Sequence, residues 1–177
     1  MPLLLSLRKV QKIKKQGYPV EIHKIVTQDN YILTTYRIPY GKNVTNKGAK
    51  RSPVLLAHGM SGHSDYFLSL GREHALPYYL VDRGFDVCLH ALGVYDFPAN
   101  VDYIVNKTNQ KLFVIGHSQG NTCYFIMTSE KPEYNEKIKI GAVYGPSAML
   151  RYIDYPIAVF LSYIVDTIEV SILLLFV

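Results

Sequence analysis

The sequence LFVIGHSQG occupies residues 112–120 and joins four apolar residues to a turn with two glycines. A short apolar run bounded by turn residues is typical of a buried strand. The residues that follow, from about Gln119 to Glu130, favour a helix. A strand that passes through a sharp turn directly into a helix indicates an α/β protein.

The alternation of strands and helices continues on both sides of this stretch. Short apolar runs predict further strands at Val54–Ala57, Phe85–Leu89 and Ile138–Tyr144. Helices are expected around Glu73–Arg83 and along the face that carries Val94, Phe97, Val101, Ile104 and Val105. Apolar strands that alternate with helices predict a mostly parallel sheet with helices on both faces.

The first forty residues predict a different arrangement. Residues 3–15 fit a basic amphipathic helix with Leu3, Leu7 and Val10 on one face. Two β-rich runs, Val20–Thr27 and Tyr31–Ile38, then indicate a hairpin. The sequence thus predicts an N-terminal antiparallel hairpin at one edge of the parallel sheet.

The charge of the chain restricts its partners. The formal net charge of the 177 residues is +5, and 19% of the residues are charged, so the composition is globular. The cations form two groups, Arg8, Lys9, Lys12, Lys14, Lys15 and Lys42, Lys47, Lys50, Arg51. They are interpreted either as solvated surfaces or as a weak attraction to anionic membranes or acidic partners. No nucleic-acid partner is expected, because no zinc-finger or aromatic-basic motif accompanies the charge.

Cysteines and glycosylation motifs bear on the compartment. Cys88 and Cys123 lie in apolar stretches and are expected to be buried free thiols, too few for a disulfide framework or a structural zinc site. Two Asn-X-Thr sequons, at residues 43–45 and 106–108, fit a secreted or lysosomal protein. The apolar start of the chain, residues 1–7, is no clear signal peptide.

The last twenty-two residues, 156–177, are strongly apolar. Asp166 and Glu169 lie in the middle of this segment, and charges at that depth disfavour a membrane span. A buried or amphipathic helix is therefore expected there.

The turn at residues 116–120 matches the pattern G-x-S-x-G. Between a strand and a helix, this pattern is typical of a nucleophile elbow, in which a strained turn presents the serine hydroxyl above the sheet. Ser118 is therefore the candidate nucleophile. The backbone N–H of Gln119 and that of Met60, in the loop after Val54–Ala57, are the candidate oxyanion donors. The alternatives are an ordinary strand-to-helix turn at Ser118 and a plain turn at His58-Gly59.

A serine nucleophile needs a basic histidine and an orienting acid, which follow the serine in α/β-hydrolases. None of the six histidines lies after Ser118, and only Asp154 and Asp166 are aspartates beyond it. His90 is the one candidate substitute, because its strand is expected to lie beside the strand that ends at the serine. A structural histidine is the alternative at His90. His58 is expected to order the oxyanion loop, and the side chain of His117, next to the serine, is expected to diverge from the hydroxyl.

Several strings resemble the acid lipase family, which includes gastric lipase, lysosomal acid lipase and insect digestive lipases. These strings are GYPVE (17–21), TQDNYIL (27–33), RIP (37–39), LLAHG (55–59), GFDV (84–87), GVYDFPA (93–99), GHSQG (116–120) and EKPEY (130–134). The resemblance covers nearly all of the chain from about residue 8.

The resemblance implies an α/β-hydrolase fold in which Ser118 is the nucleophile and Met60 and Gln119 form the oxyanion hole. It further implies hydrolysis of triglycerides or sterol esters at a lipid–water interface, without metal or organic cofactor, by a secreted or lysosomal enzyme. Residues 1–150 correspond to the N-terminal part of the hydrolase core, and residues 151–177 to the start of the lid.

Two departures from the family are visible. Family members have a longer loop where only residues 90–92 join a strand to a helix, and they continue through a lid to an Asp and a His. A truncated fold without activity is therefore expected for this chain. The alternatives are a catalytically dead module that binds lipid or a protein partner, and a membrane-associated protein held by residues 156–177.

Overall fold

The computed structural model describes residues 2–59, 64–90 and 95–146, with the side chains of residues 2–6, of Ser64 and of His90 excepted. Its elements are, in order, α1 (Pro2–Lys15), β1 (Glu21–Val26), β2 (Ile32–Ile38), β3 (Ser52–Ala57), a 3-10 helix (Ser64–Leu68), α2 (Gly71–His74), α3 (Leu76–Asp82), β4 (Phe85–His90), α4 (Asp96–Thr108), β5 (Leu112–His117), α5 (Gln119–Glu130), a second 3-10 helix (Pro132–Lys137) and β6 (Ile138–Tyr144). The proposed division at residue 150 and the apolar segment 156–177 lie outside the described residues.

The six strands form one sheet in the order β1-β2-β4-β3-β5-β6. β1 and β2 form an antiparallel hairpin, and β2 pairs antiparallel with β4. The pairs β3–β4, β3–β5 and β5–β6 are parallel. The mostly parallel sheet and the N-terminal antiparallel hairpin are therefore confirmed.

Two apolar clusters cover the two faces of the sheet. Val54 and Leu56 of β3 join the cluster that α1 and α3 complete with Ile13 and Val81. Leu55 and Ala57 belong to the opposite cluster, with α4 and α5. Alternate side chains of one strand thus enter two cores, and this is why β3 is a continuous apolar run rather than an alternating one.

Two local predictions differ from the structure. The helix expected over Glu73–Arg83 is divided into α2 and α3, because Ala75 is extended (ψ 120°) and Pro77, at the start of α3, has no N–H to continue the helix. In α1, Val10 and Ile13 pack on the core, whereas Leu7 is half exposed. The part of α1 that packs on the core therefore lies closer to its C-terminal end than predicted.

The predicted position of His90 is wrong. β4, which ends at His90, does not lie beside β5, since β3 separates them. The chain crosses from β3 to β4 over one face of the sheet. It then returns through α4, over the other face, past β3 to β5, as in doubly wound sheets. Two strand spacings of about 4.8 Å separate His90 from the strand that leads to Ser118.

A charge cluster fastens the hairpin to the parallel strands. Arg37 on β2 donates two hydrogen bonds to Asp86 Oδ2 and one to Oδ1, at 2.7–3.0 Å, and another to Glu21 at 2.9 Å. Burial raises the pKa of Asp86, and its bonds to Arg37 oppose that shift. The guanidinium stabilises a carboxylate that is 3% exposed and would otherwise be costly to bury.

Candidate active site

Ser118 connects β5 to α5 in a strained backbone conformation, with φ 51° and ψ −119°. Non-glycine residues rarely adopt this region, and such strain persists only where surrounding contacts enforce it. The Ser118 N–H donates to the carbonyl oxygen of Tyr144 at 3.1 Å, and the Ser118 carbonyl accepts from the Asn121 N–H at 2.9 Å. The end of β6 and the first turn of α5 together enforce the turn.

Asn121 strengthens the same attachment. Its side chain is fully buried, and its Nδ2 donates to the Tyr144 carbonyl at 2.9 Å. One carbonyl oxygen therefore accepts from both the serine backbone and an asparagine one turn into α5. No local pattern connects these residues, because Tyr144 is distant in sequence and its strand pairs with β5 only in the folded chain.

The glycines on both sides of Ser118 are required by close packing. A Cβ at Gly120 would lie 2.5 Å from the Ala57 carbonyl oxygen, and a Cβ at Gly116 would collide with the Asn121 side chain. Only a residue without a side chain fits against Asn121 of α5 at position 116 and against the end of β3 at position 120.

The loop after β3 contacts the serine directly. A Cβ at Gly59 would lie 2.9 Å from the Ser118 Cβ and 3.4 Å from its Oγ. The ring of His58 is buried, and its Nδ1 donates to the Gly59 carbonyl oxygen at 2.8 Å. This loop therefore lies where the sequence predicts an oxyanion loop, although Met60 itself lies outside the described residues.

Gln119 is the first residue of α5. N–H groups in the first turn of a helix have no partner within the helix and lie at the positive end of its dipole. The backbone of Gln119 is thus in the position expected of an oxyanion donor beside Ser118.

The ring of His117 is held by aromatic neighbours. It stacks on Tyr66 at 4.8 Å between ring centroids with an interplanar angle of 11°, and it lies 5.2 Å from the ring of Tyr144. For His90 the structure describes the backbone but not the side chain.

An apolar cavity of about 350 Å³ adjoins this aromatic stack. It shares Tyr66 and Tyr144 with the stack and is lined by Tyr66, Phe67, Ser69, Leu70, His74, Leu76 and Tyr144. The cavity is connected to the serine turn through Tyr144, whose carbonyl oxygen accepts the Ser118 N–H. The cavity leaves no pattern in the sequence, because its lining comes from a 3-10 helix, from the α2–α3 region and from β6.

The cysteines do not compete with Ser118 as nucleophiles. Cys88 and Cys123 are both buried free thiols, as predicted, and burial raises the pKa of each thiol. A buried thiol with a raised pKa is a poor source of the reactive thiolate.

In the described parts of the chain, no three His, Cys, Asp or Glu side chains cluster as metal ligands would. Within the same residues, no helix has both the length and the apolar character needed to cross a membrane.

Comparison with solved structures identifies the fold. An esterase of Pyrococcus furiosus, Pf2001, superposes with a TM-score of 0.58 at 18% sequence identity, covering 76% of this chain and 52% of the esterase. An esterase domain from a Rhodothermus marinus protein gives 0.53 at 15% identity, covering 72% and 53%. The chain has the α/β-hydrolase fold.

Sequence relatives define the family. Residues 10–71 match the family described as a partial alpha/beta-hydrolase lipase region. The chain is 37% identical to Lipase 3 of Drosophila melanogaster and 35% identical to gastric triacylglycerol lipase of Bos taurus. Each alignment covers 83% of this chain and 44% of the relative, so the chain spans less than half the length of these lipases. On these matches the chain belongs to the acid lipase family of α/β-hydrolases, the family of the gastric triacylglycerol lipases.

Proposed function

We propose that the protein is a serine ester hydrolase of lipid metabolism that cleaves triglycerides or sterol esters, with Ser118 as its nucleophile. The observation that carries the proposal is the strained turn at Ser118 (φ 51°), packed against Gly59 of the preceding loop. Strain of this kind, between a parallel strand and a helix, is what a nucleophile elbow requires. The names of the relatives support a lipid ester as substrate.

In the proposed reaction, Ser118 Oγ attacks the ester carbonyl carbon while a base takes its proton. The carbonyl oxygen becomes an oxyanion that accepts hydrogen bonds from the backbone N–H groups of Gln119 and Met60. Collapse of this intermediate releases the alcohol and leaves an acyl-serine, which water then hydrolyses. The apolar cavity beside His117 is suited to part of an acyl chain, because its lining is mostly aromatic and aliphatic.

The base that accepts the proton of Ser118 limits the proposed reaction in this chain. No histidine follows Ser118 in the 177 residues, so the usual order of serine, acid and histidine is not present within them. We propose that the 177-residue chain alone hydrolyses esters poorly. Free imidazole in solution supplies the missing base and should restore part of the rate, since general-base catalysis contributes about 100-fold or more.

We further propose a secreted or lysosomal location, at a lipid–water interface. The asparagines of both sequons, Asn43 and Asn106, are exposed and so accessible to glycosylation. Exposure permits this modification without requiring it, and the location rests mainly on the relatives.

The test is hydrolysis of p-nitrophenyl butyrate and of emulsified tributyrin over a range of imidazole concentrations. We expect turnover that increases with imidazole and exceeds that of Ser118→Ala by about tenfold or more at the same imidazole concentration. Equal rates for the chain and Ser118→Ala would refute the proposed nucleophile. Hydrolysis of p-nitrophenyl butyrate but not of tributyrin would refute the lipid substrate and would leave the proposed nucleophile intact.

A further inference from the structure

The turn of the β1–β2 hairpin lies at the same end of the strands as Ser118, the carboxyl edge of the parallel strands. β1 runs parallel to β3, β4 and β5, because it is antiparallel to β2, and β2 is antiparallel to β4. The turn after Val26 therefore lies at the carboxyl edge, where β5 leads to Ser118. Tyr36 pairs with Leu89, so Ile32 extends four residues further, about 13 Å at 3.3 Å per residue.

The end of this hairpin exposes large apolar side chains. Val26 and Ile32 are register partners, 63% and 67% exposed, and Tyr31 in the turn is 69% exposed. Ile22, four residues before Val26 on the same face of β1, is 46% exposed, and Lys24 lies between them. Single exposed apolar residues are ordinary, but a contiguous group on one projecting element indicates a contact surface.

Hydrogen bonds hold the exposed turn in one conformation. Thr27 N–H donates to the Tyr31 carbonyl oxygen, and Tyr31 N–H donates to Thr27 Oγ1, each at 2.9 Å. Thr27 Oγ1 also donates to the Asp29 carboxylate. The apolar side chains are thus presented by an ordered turn, which lowers the entropy cost of a contact.

A strongly basic helix packs beside the same face. Tyr36, the register partner of Ile22, lies under the ammonium of Lys9, with 5.2 Å between Nζ and the ring centroid. α1 carries five cations and no acidic residue, and Arg8, Lys12, Lys14 and Lys15 are exposed. Lys24 adds a further exposed cation between Ile22 and Val26.

We propose that Ile22, Val26, Tyr31 and Ile32, together with the cations of α1, form a docking surface for an anionic lipid bilayer or droplet. The apolar side chains would enter the boundary between headgroups and acyl chains, while the cations of α1 and Lys24 attract anionic headgroups. Asp29 is the one acidic side chain in the turn itself.

This inference rests on the proposed function for its purpose, because it brings a lipid surface to the edge of the sheet that carries Ser118. Three to four strand spacings of about 4.8 Å separate β5 from β2 and β1. A lipid surface that covers the hairpin can therefore also reach the neighbourhood of the serine. The charge of α1 favours this occupant over a second copy of the chain, whose own basic helix would be repelled.

The test is flotation of the full 177-residue chain with phosphatidylcholine vesicles that contain or lack phosphatidylserine, at low and high salt. Flotation separates bound protein from aggregates, and no ester turnover is needed. We expect binding to vesicles with phosphatidylserine that weakens at high salt. Val26→Ser with Ile32→Ser, and separately Arg8→Glu with Lys12→Glu, should each lower the bound fraction at limiting lipid by about tenfold.

Matched controls keep the result specific. Ile140→Ser removes an apolar side chain that is 61% exposed on β6, and Lys47→Glu with Lys50→Glu reverses charges in the loop at the opposite edge of the sheet. Neither control should change flotation by more than about twofold. Ser118→Ala should float like the unaltered chain, so a failed hydrolysis test and a failed docking test are distinguishable.

Two results would overturn the docking surface. One is equal flotation of the hairpin variant and the Ile140→Ser control. The other is a concentration-dependent dimer that Val26→Ser with Ile32→Ser abolishes, without flotation of the unaltered chain, since the hairpin would then bind a second copy. Circular dichroism and thermal unfolding of each variant confirm that its fold is retained.

Discussion

Ser118 holds its unusual conformation because three neighbours meet at its backbone. Tyr144 accepts its N–H, Asn121 donates to its carbonyl, and Gly59 lies where even a methyl group would touch its Cβ. A conformation of this kind costs on the order of 1–3 kcal/mol, which the packed surroundings must supply. The strain raises the hydroxyl toward the loop after β3.

Replacement of Gly59 by alanine tests this contact. The added Cβ would lie 2.9 Å from the Ser118 Cβ, so the loop or the elbow must shift. We expect imidazole-dependent hydrolysis to fall by about 10- to 100-fold, since displacements near 1 Å have effects of this size. Gly48→Ala is the control, because its nearest neighbour would be 3.8 Å away and hydrolysis should not change. Equal rates for the two variants would contradict a tight contact between loop and elbow.

At the scale of elements, the position of α5 depends on its second residue. Gly120 brings the helix so close to β3 that an added Cβ would lie 2.5 Å from the Ala57 carbonyl oxygen and 2.9 Å from that of His58. Because both obstacles are backbone atoms, they cannot move aside as a flexible side chain would. The close approach places the start of α5 against the end of β3 and the first residue of the loop that follows it.

Gly120→Ala reverses the usual effect of this substitution in a helix. Alanine normally stabilises a helix by about 1 kcal/mol relative to glycine. Here we expect the free energy of unfolding to decrease by about 1–3 kcal/mol through overpacking, as measured by urea denaturation. Ser129→Ala, at an exposed position of the same helix, should change it by about 0.5 kcal/mol or less. A stabilised Gly120→Ala variant would show that helix and strand are further apart.

Periodicity predicted most of the elements but not their arrangement. The bounds of α5 and β6 agree with the sequence, since a glycine-flanked turn and a run of β-formers mark them locally. The break between α2 and α3 was missed, because the apolar spacing continues through Pro77. The place of β4 was also missed, because the crossover direction depends on packing of helices on the sheet and leaves no local pattern.

The candidate site was predictable to the same extent. Ser118 and Gln119 follow from the motif, and the loop at Gly59 follows from its position after a strand. Tyr144 and Asn121 leave no such signal, since their contacts with the serine turn exist only once β6 pairs with β5. Met60 lies outside the described residues, and its role stays a prediction.

At the scale of the whole molecule, three features meet at the carboxyl edge of the sheet. The serine turn, the apolar cavity and the exposed hairpin all lie there, as ligand sites in α/β sheets generally do. The second basic group, with Lys47 and Arg51, lies at the opposite edge, before β3 begins. The candidate chemistry, the cavity and the apolar end of the hairpin thus share one side of the sheet, and the second basic group lies on the other.

The most direct measurement of the central claim is the rate at which a fluorophosphonate ester labels the folded chain as imidazole is increased, with the modified residue identified by mass spectrometry. Ser118 as nucleophile predicts a label on Ser118, formed at a rate that rises with imidazole by about tenfold or more, and absent in Ser118→Ala. A folded chain that remains unlabelled at every imidazole concentration, or that is labelled equally in Ser118→Ala, would contradict the claim.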